Sequence, residues 1–213
     1  MLQVYSIFES LQGESRFQGL PTVFVRLAGC PLSCLYCDTR EARDPSGTPL
    51  EVGEIVDKVL QSGMPSVEVT GGEPLIQEET SLLLDELVKH PIEVLLETSG
   101  AFSVEPISPL VHVVMDIKSP GSGMVNRFHF ENLDHLSNRS HELKFVLTSL
   151  DDFEWMVDFC RKHSLFGREI ALSPAEGWLS LSELAKWMLE ARLYARLRLQ
   201  LHKLIWPDGE KEL

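Results

Sequence analysis

The chain alternates between short β-branched runs and longer amphipathic stretches. Six runs are typical of strands: "TVFVRLAG", "SVEVTGG", "IEVLLETSG", "VHVVMDIKSP", "ELKFVLTS" and "REIALSP". Four stretches have apolar residues at helical spacing: "PLEVGEIVDKVLQSG", "EETSLLLDELVKH", "DDFEWMVDFCRKHS" and "LSLSELAKWMLEARL". This order predicts a parallel α/β sheet, either open or part of a barrel. In "RLRLQLHKLIW", Leu197, Leu199 and Leu201 share one face, which predicts a closing strand.

Polar or glycine-bearing motifs follow five of these predicted strands. They are "GCPLSC", "TGGEP", "ETSG", "DIKSP" and "SPAEG". Ligands of parallel α/β proteins bind at the carboxyl ends of the strands. The sequence therefore predicts one active-site rim that all five motifs share.

Composition limits the classes of partner. The 213 residues suffice for one or two domains, and the formal net charge of −13 argues against a surface for nucleic acid or anionic membrane. No run has the length of a transmembrane helix and no basic, then apolar, leader precedes the first strand, so we expect a cytoplasmic location. Thiols stay reduced there, so clustered cysteines are expected to bind metal or perform chemistry.

Three of the four cysteines fall within "CPLSCLYC", as Cys30, Cys34 and Cys37. The fourth, Cys160, lies on the apolar face of a predicted helix and is expected in the core. A zinc site would normally add a second cysteine pair or histidines, and a thiol redox pair would leave Cys30 unexplained. A four-iron cluster with three cysteine ligands leaves one iron open for another ligand.

At this point the sequence resembles the radical S-adenosylmethionine (SAM) superfamily. Cys30, Cys34 and Cys37 have its CxxxCxxC spacing, Tyr36 precedes the third cysteine, and "TGGEP" (Thr70 to Pro74) resembles its SAM-binding stretch. The resemblance implies a partial (β/α)6 TIM-like barrel, a single radical SAM domain over residues 1–213, a 4Fe–4S cluster and SAM. It also implies that a 5′-deoxyadenosyl radical, rather than a catalytic side chain, starts the reaction.

Eight motifs narrow the resemblance to the 7-carboxy-7-deazaguanine synthase family. They appear in order as "IFESLQGES", "FVRLAGC", "CDT", "TGGEP", "ETSG", "DIKSP", "ELKFV" and "QLHKLIW". The family contracts the ring of 6-carboxy-5,6,7,8-tetrahydropterin to 7-carboxy-7-deazaguanine, with loss of ammonia, in queuosine and 7-deazapurine biosynthesis. The resemblance also implies Mg2+ at Thr39, a homodimer, and an electron donor such as flavodoxin or ferredoxin.

The same resemblance assigns binding residues. For substrate these are Leu11, Gln12, Gly13, Glu14, Arg26 and Thr70. For SAM they are Tyr36, Cys37, Asp38, Gly71, Gly72, Glu73, Ser99, Asp116, Ile117, Lys118, Ser173, Pro174, Ala175 and Glu176. Lys144, His202 and Lys203 match family motifs without an assigned role. Pro31, Ser15, Ser99 and the tail "PDGEKEL" depart from the family pattern.

Two further hypotheses belong to other classes. An activase that installs a glycyl radical on a partner protein would share CxxxCxxC and "GGEP", but it would not need "SLQGE" or Thr39. A small zinc- or cluster-binding interaction module would need no SAM. Product formation from the carboxylated pterin separates the first hypothesis from the synthase, and a response of the cluster to SAM tests the second.

Overall fold

A computed structural model describes residues 1–136 and 141–206. The strands described there form one sheet in the order β3-β1-β2-β4-β5-β6-β7-β8-β9. Their bounds are β1 Leu2–Leu11, β2 Pro21–Leu27, β3 Thr48–Leu50, β4 Ser66–Gly71, β5 Glu93–Thr98, β6 His112–Asp116, β7 His141–Leu147, β8 Glu169–Pro174 and β9 Arg196–Leu197.

Six consecutive strands of this sheet, β2 and β4 to β8, pair in parallel. They coincide with the six predicted runs, and together they make the partial six-stranded barrel that the resemblance implied. Two antiparallel strands, β1 and β3, extend one edge, and the short β9 extends the other. The sheet is open, with β3 and β9 at its edges.

The described α-helices lie in five of the connections between strands and after the last strand. They are α1 Val52–Ser62, α2 Thr80–Leu87, α3 Asn132–His135, α4 Leu150–Lys162, α5 Leu181–Glu190 and α6 Leu201–Ile205. All four predicted helices are present, whereas the connection between β5 and β6 contains no helix. None of these described helices is long and apolar enough to cross a bilayer.

Helix α1 shows how local sequence sets the bounds of an element. Glu51 and Glu54 form a reciprocal capping box at its start, which satisfies backbone N–H groups that have no partner within the helix. Gly63 ends it at φ 67°, a left-handed conformation that costs glycine little. Ile55 and Val59 are buried on the inner face, so the helix covers the sheet.

Cys160 lies in the core, as its helical position predicted. Its side chain on α4 is fully buried and its Sγ lies 3.8 Å from Met156 Sδ. Burial raises the pKa of this thiol to about 12. An inert packing role follows, because a neutral thiol is a poor metal ligand.

The predicted closing strand is wrong over most of its length. Only Arg196–Leu197 pairs with β8, and the chain then turns into α6. The backbone N–H of Leu201 donates to the Gly13 carbonyl (3.1 Å) instead of continuing a strand ladder. The alternation of leucines therefore reflects a short strand followed by a turn.

The turn between β1 and β2 reaches across to the other edge of the sheet. The Gln18 side-chain amide donates both to Gly13 O (2.8 Å) and to Leu199 O (2.9 Å). In the same turn, the Arg16 backbone N–H donates to the Glu142 carboxylate on β7. These contacts close the open side of the partial barrel without a strand pair.

Candidate active site

A cavity of about 460 Å³ opens at the carboxyl ends of the parallel strands. Nineteen of the predicted site residues line it. They are Leu11, Gln12, Gly13, Glu14, Arg26, Cys30, Cys34, Tyr36, Cys37, Asp38, Thr39, Thr70, Gly71, Gly72, Ser99, Asp116, Lys118, Ala175 and Glu176. The structure therefore places the five motifs around one rim, as the strand ends predicted.

Four other predicted residues lie behind the cavity wall. Glu73 is fully buried, and its carboxylate accepts hydrogen bonds from the Thr98 hydroxyl (2.8 Å) and from the Ser99 backbone N–H (2.7 Å). The Ile117 and Ser173 side chains are buried, and Pro174 ends β8. Glu73 thus fixes Ser99 on the rim rather than facing the cavity itself.

The three clustered cysteines are half-buried and face the same cavity. Their loop is held by Arg43, whose Nη2 donates to Cys34 O (2.8 Å), and by the Leu35 backbone N–H, which donates to Ser122 O (3.1 Å). Burial raises the pKa of the Cys30 and Cys34 thiols. Thiolates at these positions therefore need a nearby cation, as a metal cluster provides.

No group of three or more histidine, cysteine or acidic side chains converges on a single-ion site within residues 1–136 and 141–206. The three thiols share a cavity rather than a preformed mononuclear site. Their chemistry fits a cluster, because thiolates are the usual ligands of iron–sulfur centres.

Gly72 lies against the cysteine loop and Gly71 against the end of β2, and neither has room for a side chain. A Cβ on Gly72 would lie 2.6 Å from both Cys30 Cβ and Gly29 O, and one on Gly71 would lie 2.4 Å from Leu27 O. The Glu73 backbone N–H also donates to Gly29 O (2.9 Å). The "TGGEP" turn and the cysteine loop therefore form one closely packed unit.

The cavity floor carries a buried ionic network centred on Lys144. Its ammonium contacts Glu14, Glu97 Oε1 (2.7 Å) and Asp116 Oδ2 (3.8 Å), while Lys118 Nζ pairs with Asp116 Oδ2 (2.8 Å). Burial acts to lower the pKa of Lys144, but the carboxylates outweigh it, and the pKa is raised. Lys144 is therefore a charged residue of the site and not a solvated strand end.

The segment after β9 covers one side of the cavity. Gln200 Nε2 donates to Glu14 Oε1 (2.7 Å), and Lys203 Nζ lies 3.0 Å from Glu176 Oε2 and 3.6 Å from Asp38 Oδ2. His202 packs over Gly13, and burial lowers the pKa of its imidazole. We call this segment, residues 199–206, the closing segment, and it joins the first turn of the chain to two rim loops.

Arg26 has no carboxylate within ion-pair distance among the residues that the structure describes. Its Nη1 donates to Gly71 O at 3.5 Å, and its guanidinium lies 5.8 Å from the Phe8 ring centroid. Phe8 is itself stacked on Phe24 at 5.1 Å. The guanidinium is thus held in the cavity with hydrogen-bond donors available to a ligand.

Gln12 has both ends of its side chain hydrogen-bonded within the protein. Its Oε1 accepts from the backbone N–H groups of Glu14 and Ser15 (both 2.8 Å), and its Nε2 donates to Glu68 Oε2 (2.9 Å). Gln12 therefore shapes the turn that carries Gly13 and Glu14.

Thr39, which follows the cysteine loop, makes a hydrogen bond to its neighbour. Its hydroxyl (Oγ1) donates to Asp38 Oδ1 (3.2 Å).

The family follows from comparison with known proteins. Residues 25–130 match the radical SAM superfamily. A 7-carboxy-7-deazaguanine synthase from Chlorobaculum tepidum is 45% identical, over 98% of this chain and 96% of the relative. Another, from Koribacter versatilis, is 39% identical over 99% of both chains. The chain belongs to the 7-carboxy-7-deazaguanine synthase family.

Membership in this family of radical SAM lyases implies a 4Fe–4S cluster and SAM, which the residue chemistry of the cavity fits. The crystal structure of QueE from Escherichia coli shares the fold, with a TM-score of 0.72 and 23% identity over 93% of this chain and 94% of that one. The resemblance drawn from the motifs is thereby confirmed. Membership in the family argues against the zinc and thiol-redox interpretations of the cysteine cluster, which the spacing already disfavoured.

Several residues that line the cavity were not identified by the sequence motifs. Glu68 and Glu97 are on its floor, and Gln200 belongs to the closing segment. Glu68 did leave a signal, since it is the charged residue within the apolar run "SVEV". Glu97 opens the "ETSG" motif, in which Ser99 alone was assigned.

Proposed function

We propose that this chain is a 7-carboxy-7-deazaguanine synthase that converts 6-carboxy-5,6,7,8-tetrahydropterin to 7-carboxy-7-deazaguanine with loss of ammonia. The observation that carries the proposal is the full-length similarity to synthases of that name, at up to 45% identity. The cavity adds support, because cysteine loop, glycine turn, cationic groups and Thr39 all face one space.

Cys30, Cys34 and Cys37 would hold the 4Fe–4S cluster. When bound, the cluster and SAM would supply the radical chemistry that removes a hydrogen atom from C6 of the substrate. The chain's own contribution is position: Gly72 allows the SAM-binding turn to approach the cysteine loop within contact distance. Arg43 fixes the middle of that loop through Cys34 O.

SAM would lie between the glycine turn and the neighbouring rim. The residues we assign to it are Tyr36, Cys37, Asp38, Gly71, Gly72, Glu73, Ser99, Asp116, Ile117, Lys118, Ser173, Pro174, Ala175 and Glu176. Ser99 is the best supported, since Glu73 accepts its hydroxyl (2.5 Å) and its backbone N–H. For the residues behind the wall, the role would fall to backbone groups or to support of neighbours.

The substrate would occupy the floor beside Leu11, Gln12, Gly13, Glu14, Arg26 and Thr70. Arg26 would pair with the substrate carboxylate, because a guanidinium can donate two parallel hydrogen bonds to it. Its lack of a carboxylate partner within the described residues supports this role. Glu14 is held ionised by Lys144, so it can accept an N–H of the pterin ring.

Mg2+ would bind at Thr39, with substrate oxygens and water completing its shell. The exposed Asp38 carboxylate beside it supplies a further negative charge. We also propose that the chain is a single domain, that it works in the cytoplasm as a homodimer, and that it takes electrons from a donor such as flavodoxin or ferredoxin.

The decisive test is an anaerobic assay of the reconstituted protein with SAM, reductant, Mg2+ and the carboxylated tetrahydropterin. We expect 7-carboxy-7-deazaguanine and 5′-deoxyadenosine, identified by mass spectrometry. Cys37→Ala should lose the cluster and all turnover, whereas Cys160→Ala, the matched control in the core, should retain both. Deoxyadenosine that forms only with a partner protein would contradict the proposal and favour an activase.

A further inference from the structure

The cavity floor holds more acids than its cations can pair. Lys144 contacts Glu14 and Glu97, and Lys118 pairs with Asp116. Glu68, the remaining floor acid, has no ammonium or guanidinium within ion-pair distance among the described residues. The hydrogen bond that its Oε2 accepts comes from a neutral amide, that of the Gln12 side chain (2.9 Å).

Glu68 is also the most deeply buried of these acids. It is 2% exposed, in the middle of β4, between Phe24 on β2 and Leu95 on β5. An unpaired carboxylate in such surroundings is costly, so the group takes up a proton instead. Burial raises the pKa of Glu68 well above its ordinary value, and the adjacent Glu97 carboxylate raises it further.

Glu97 differs from the other paired acids in its access to the cavity. Its side chain is 26% exposed, compared with 12% for Glu14 and 11% for Asp116. Lys144 holds its Oε1. Glu68 lies on the neighbouring strand, paired with Leu95 two residues before Glu97, so the two carboxylates share one face of the sheet and line the same cavity. A hydrogen bond donated by the Glu68 carboxyl would fix the orientation of the Glu97 carboxylate. The remaining lone pairs of Glu97 would then point into the cavity.

We infer that Glu68 is a positioning residue that stays protonated in the folded enzyme and donates its carboxyl hydrogen to Glu97, which in turn accepts N–H groups of the substrate's aminopyrimidinone ring. The second half rests on the proposed function. The charged groups that face this pair are Glu14 on the first turn, Arg26 on β2, Asp116 on β6 and Lys144 on β7.

The kinetic test compares Glu68→Gln with Glu68→Met. The carboxamide keeps an acceptor oxygen for the Gln12 amide, offers N–H donors toward Glu97 and cannot ionise, so its KM for the carboxylated pterin should stay within about threefold of wild type at neutral pH. The thioether keeps the bulk without the donor, so KM should rise about 10- to 100-fold with kcat little changed. Equal increases in KM for both variants would overturn the inference.

The pH profile supplies a readout that a merely structural role would not move. As pH rises past the raised pKa, Glu68 loses its proton, two carboxylates meet, and the wild-type KM should increase. Glu68→Gln should abolish this alkaline increase, whereas Glu142→Gln, a control at another buried acid outside the cavity, should keep it. An alkaline limb that persists in Glu68→Gln would contradict the inference.

Infrared difference spectroscopy tests the proton without substrate. The C=O stretch of the protonated Glu68 carboxyl should be present in wild type at neutral pH. This band should be absent from Glu68→Gln and retained in Glu142→Gln. Absence of the Glu68 band from wild type would overturn the inference. Failure of wild type to bind the carboxylated pterin, with that band present, would refute the proposed function instead.

Discussion

The two sides of the cavity are held together by different physics. On the cluster side, backbone packs closely, with Gly71 against the end of β2 and Gly72 against the cysteine loop. On the floor, Lys144 joins Glu14, Glu97 and Asp116 through buried ion pairs. Substitutions on the first side should therefore act by steric clash at any pH. Those on the second should depend on charge, pH and, near the surface, salt.

The largest effect is expected from Gly72→Ala. A Cβ at this position would meet Cys30 Cβ and Gly29 O at 2.6 Å, and neither atom belongs to a flexible side-chain end. We expect loss of SAM cleavage by more than about 100-fold, because displacement of reacting groups by about 1 Å can cost this much. Deoxyadenosine formation measures it.

Gly53→Ala is the matched control for this prediction. No atom lies within 4 Å of a Cβ at Gly53, which is in the first turn of α1. It should retain full cleavage and gain slightly in stability, since alanine favours a helix over glycine. If Gly72→Ala is as active as Gly53→Ala, close steric packing does not hold the cluster side of the cavity together.

Lys144→Met should be the next most damaging change. It removes a buried cation that three mostly buried carboxylates share, so the unfolding free energy at neutral pH should fall by about 3–5 kcal/mol. Lys89→Met, at an exposed pair with Glu86, should cost under about 1 kcal/mol. Denaturant unfolding of both variants measures the difference.

The deficit of Lys144→Met should also depend on pH in a defined direction. Burial acts to raise the pKa of Glu14, but Lys144 outweighs this, and the pKa is lowered from its ordinary 4.5. The stabilisation is thus present above pH 4.5 and is lost as pH falls through the lowered value. A deficit that stays constant from neutral to acid pH would contradict the ionic account of the floor.

Thr39→Ala tests a residue that lies between the cluster side and the floor of the cavity. The hydroxyl makes one weak hydrogen bond, to Asp38, so folding, cluster content and SAM cleavage should survive. The Mg2+ concentration for half-maximal product formation should rise by roughly 10-fold or more, as loss of even an outer-shell partner does at metal sites. Thr39→Ser should restore the response, and an unchanged response in Thr39→Ala would remove it from the site.

The smallest effect is expected from Lys203→Met in the closing segment. Its partners Asp38 and Glu176 are 49% and 69% exposed, so solvent screens both pairs. KM for substrate should rise about two- to fivefold at low salt, and the difference should shrink in high salt. Lys186→Met, at an exposed pair on α5, is the control. A salt-independent change would mean that packing rather than charge holds this segment.

The sequence predicted the parts of the fold whose signals are local. A buried parallel strand is recognisable as a continuous apolar run. Helix α1 is flanked in the sequence by its capping residues, Glu51 and Gly63. Strand β1 was missed because most of its residues are only half-buried, so its apolar and polar residues are mixed and do not form a continuous apolar run. The closing strand was predicted too long because the period-two spacing of the leucines after Arg196 does not show where hydrogen bonding to the neighbouring strand ends.

The site divides in the same way. The cysteines and glycines are identifiable because their chemistry is nearly specific to their role. Lys144 looked like an ordinary lysine, since its partners Glu14 and Glu97 lie 130 and 47 positions away in the sequence. A charge pattern read along the chain does not show which groups meet when strands β5, β6 and β7 come together.

The contact between Gly13 and Leu201 has a consequence for how the molecule is made. The first turn of the chain completes the cavity wall only when a segment almost 190 residues later reaches it. Contacts of such high sequence separation form late, because a long loop must close first. The cysteine loop and the glycine turn, which lie about 40 residues apart, can therefore come together before this contact forms. The cavity wall would become complete only after the closing segment has been made and has reached Gly13.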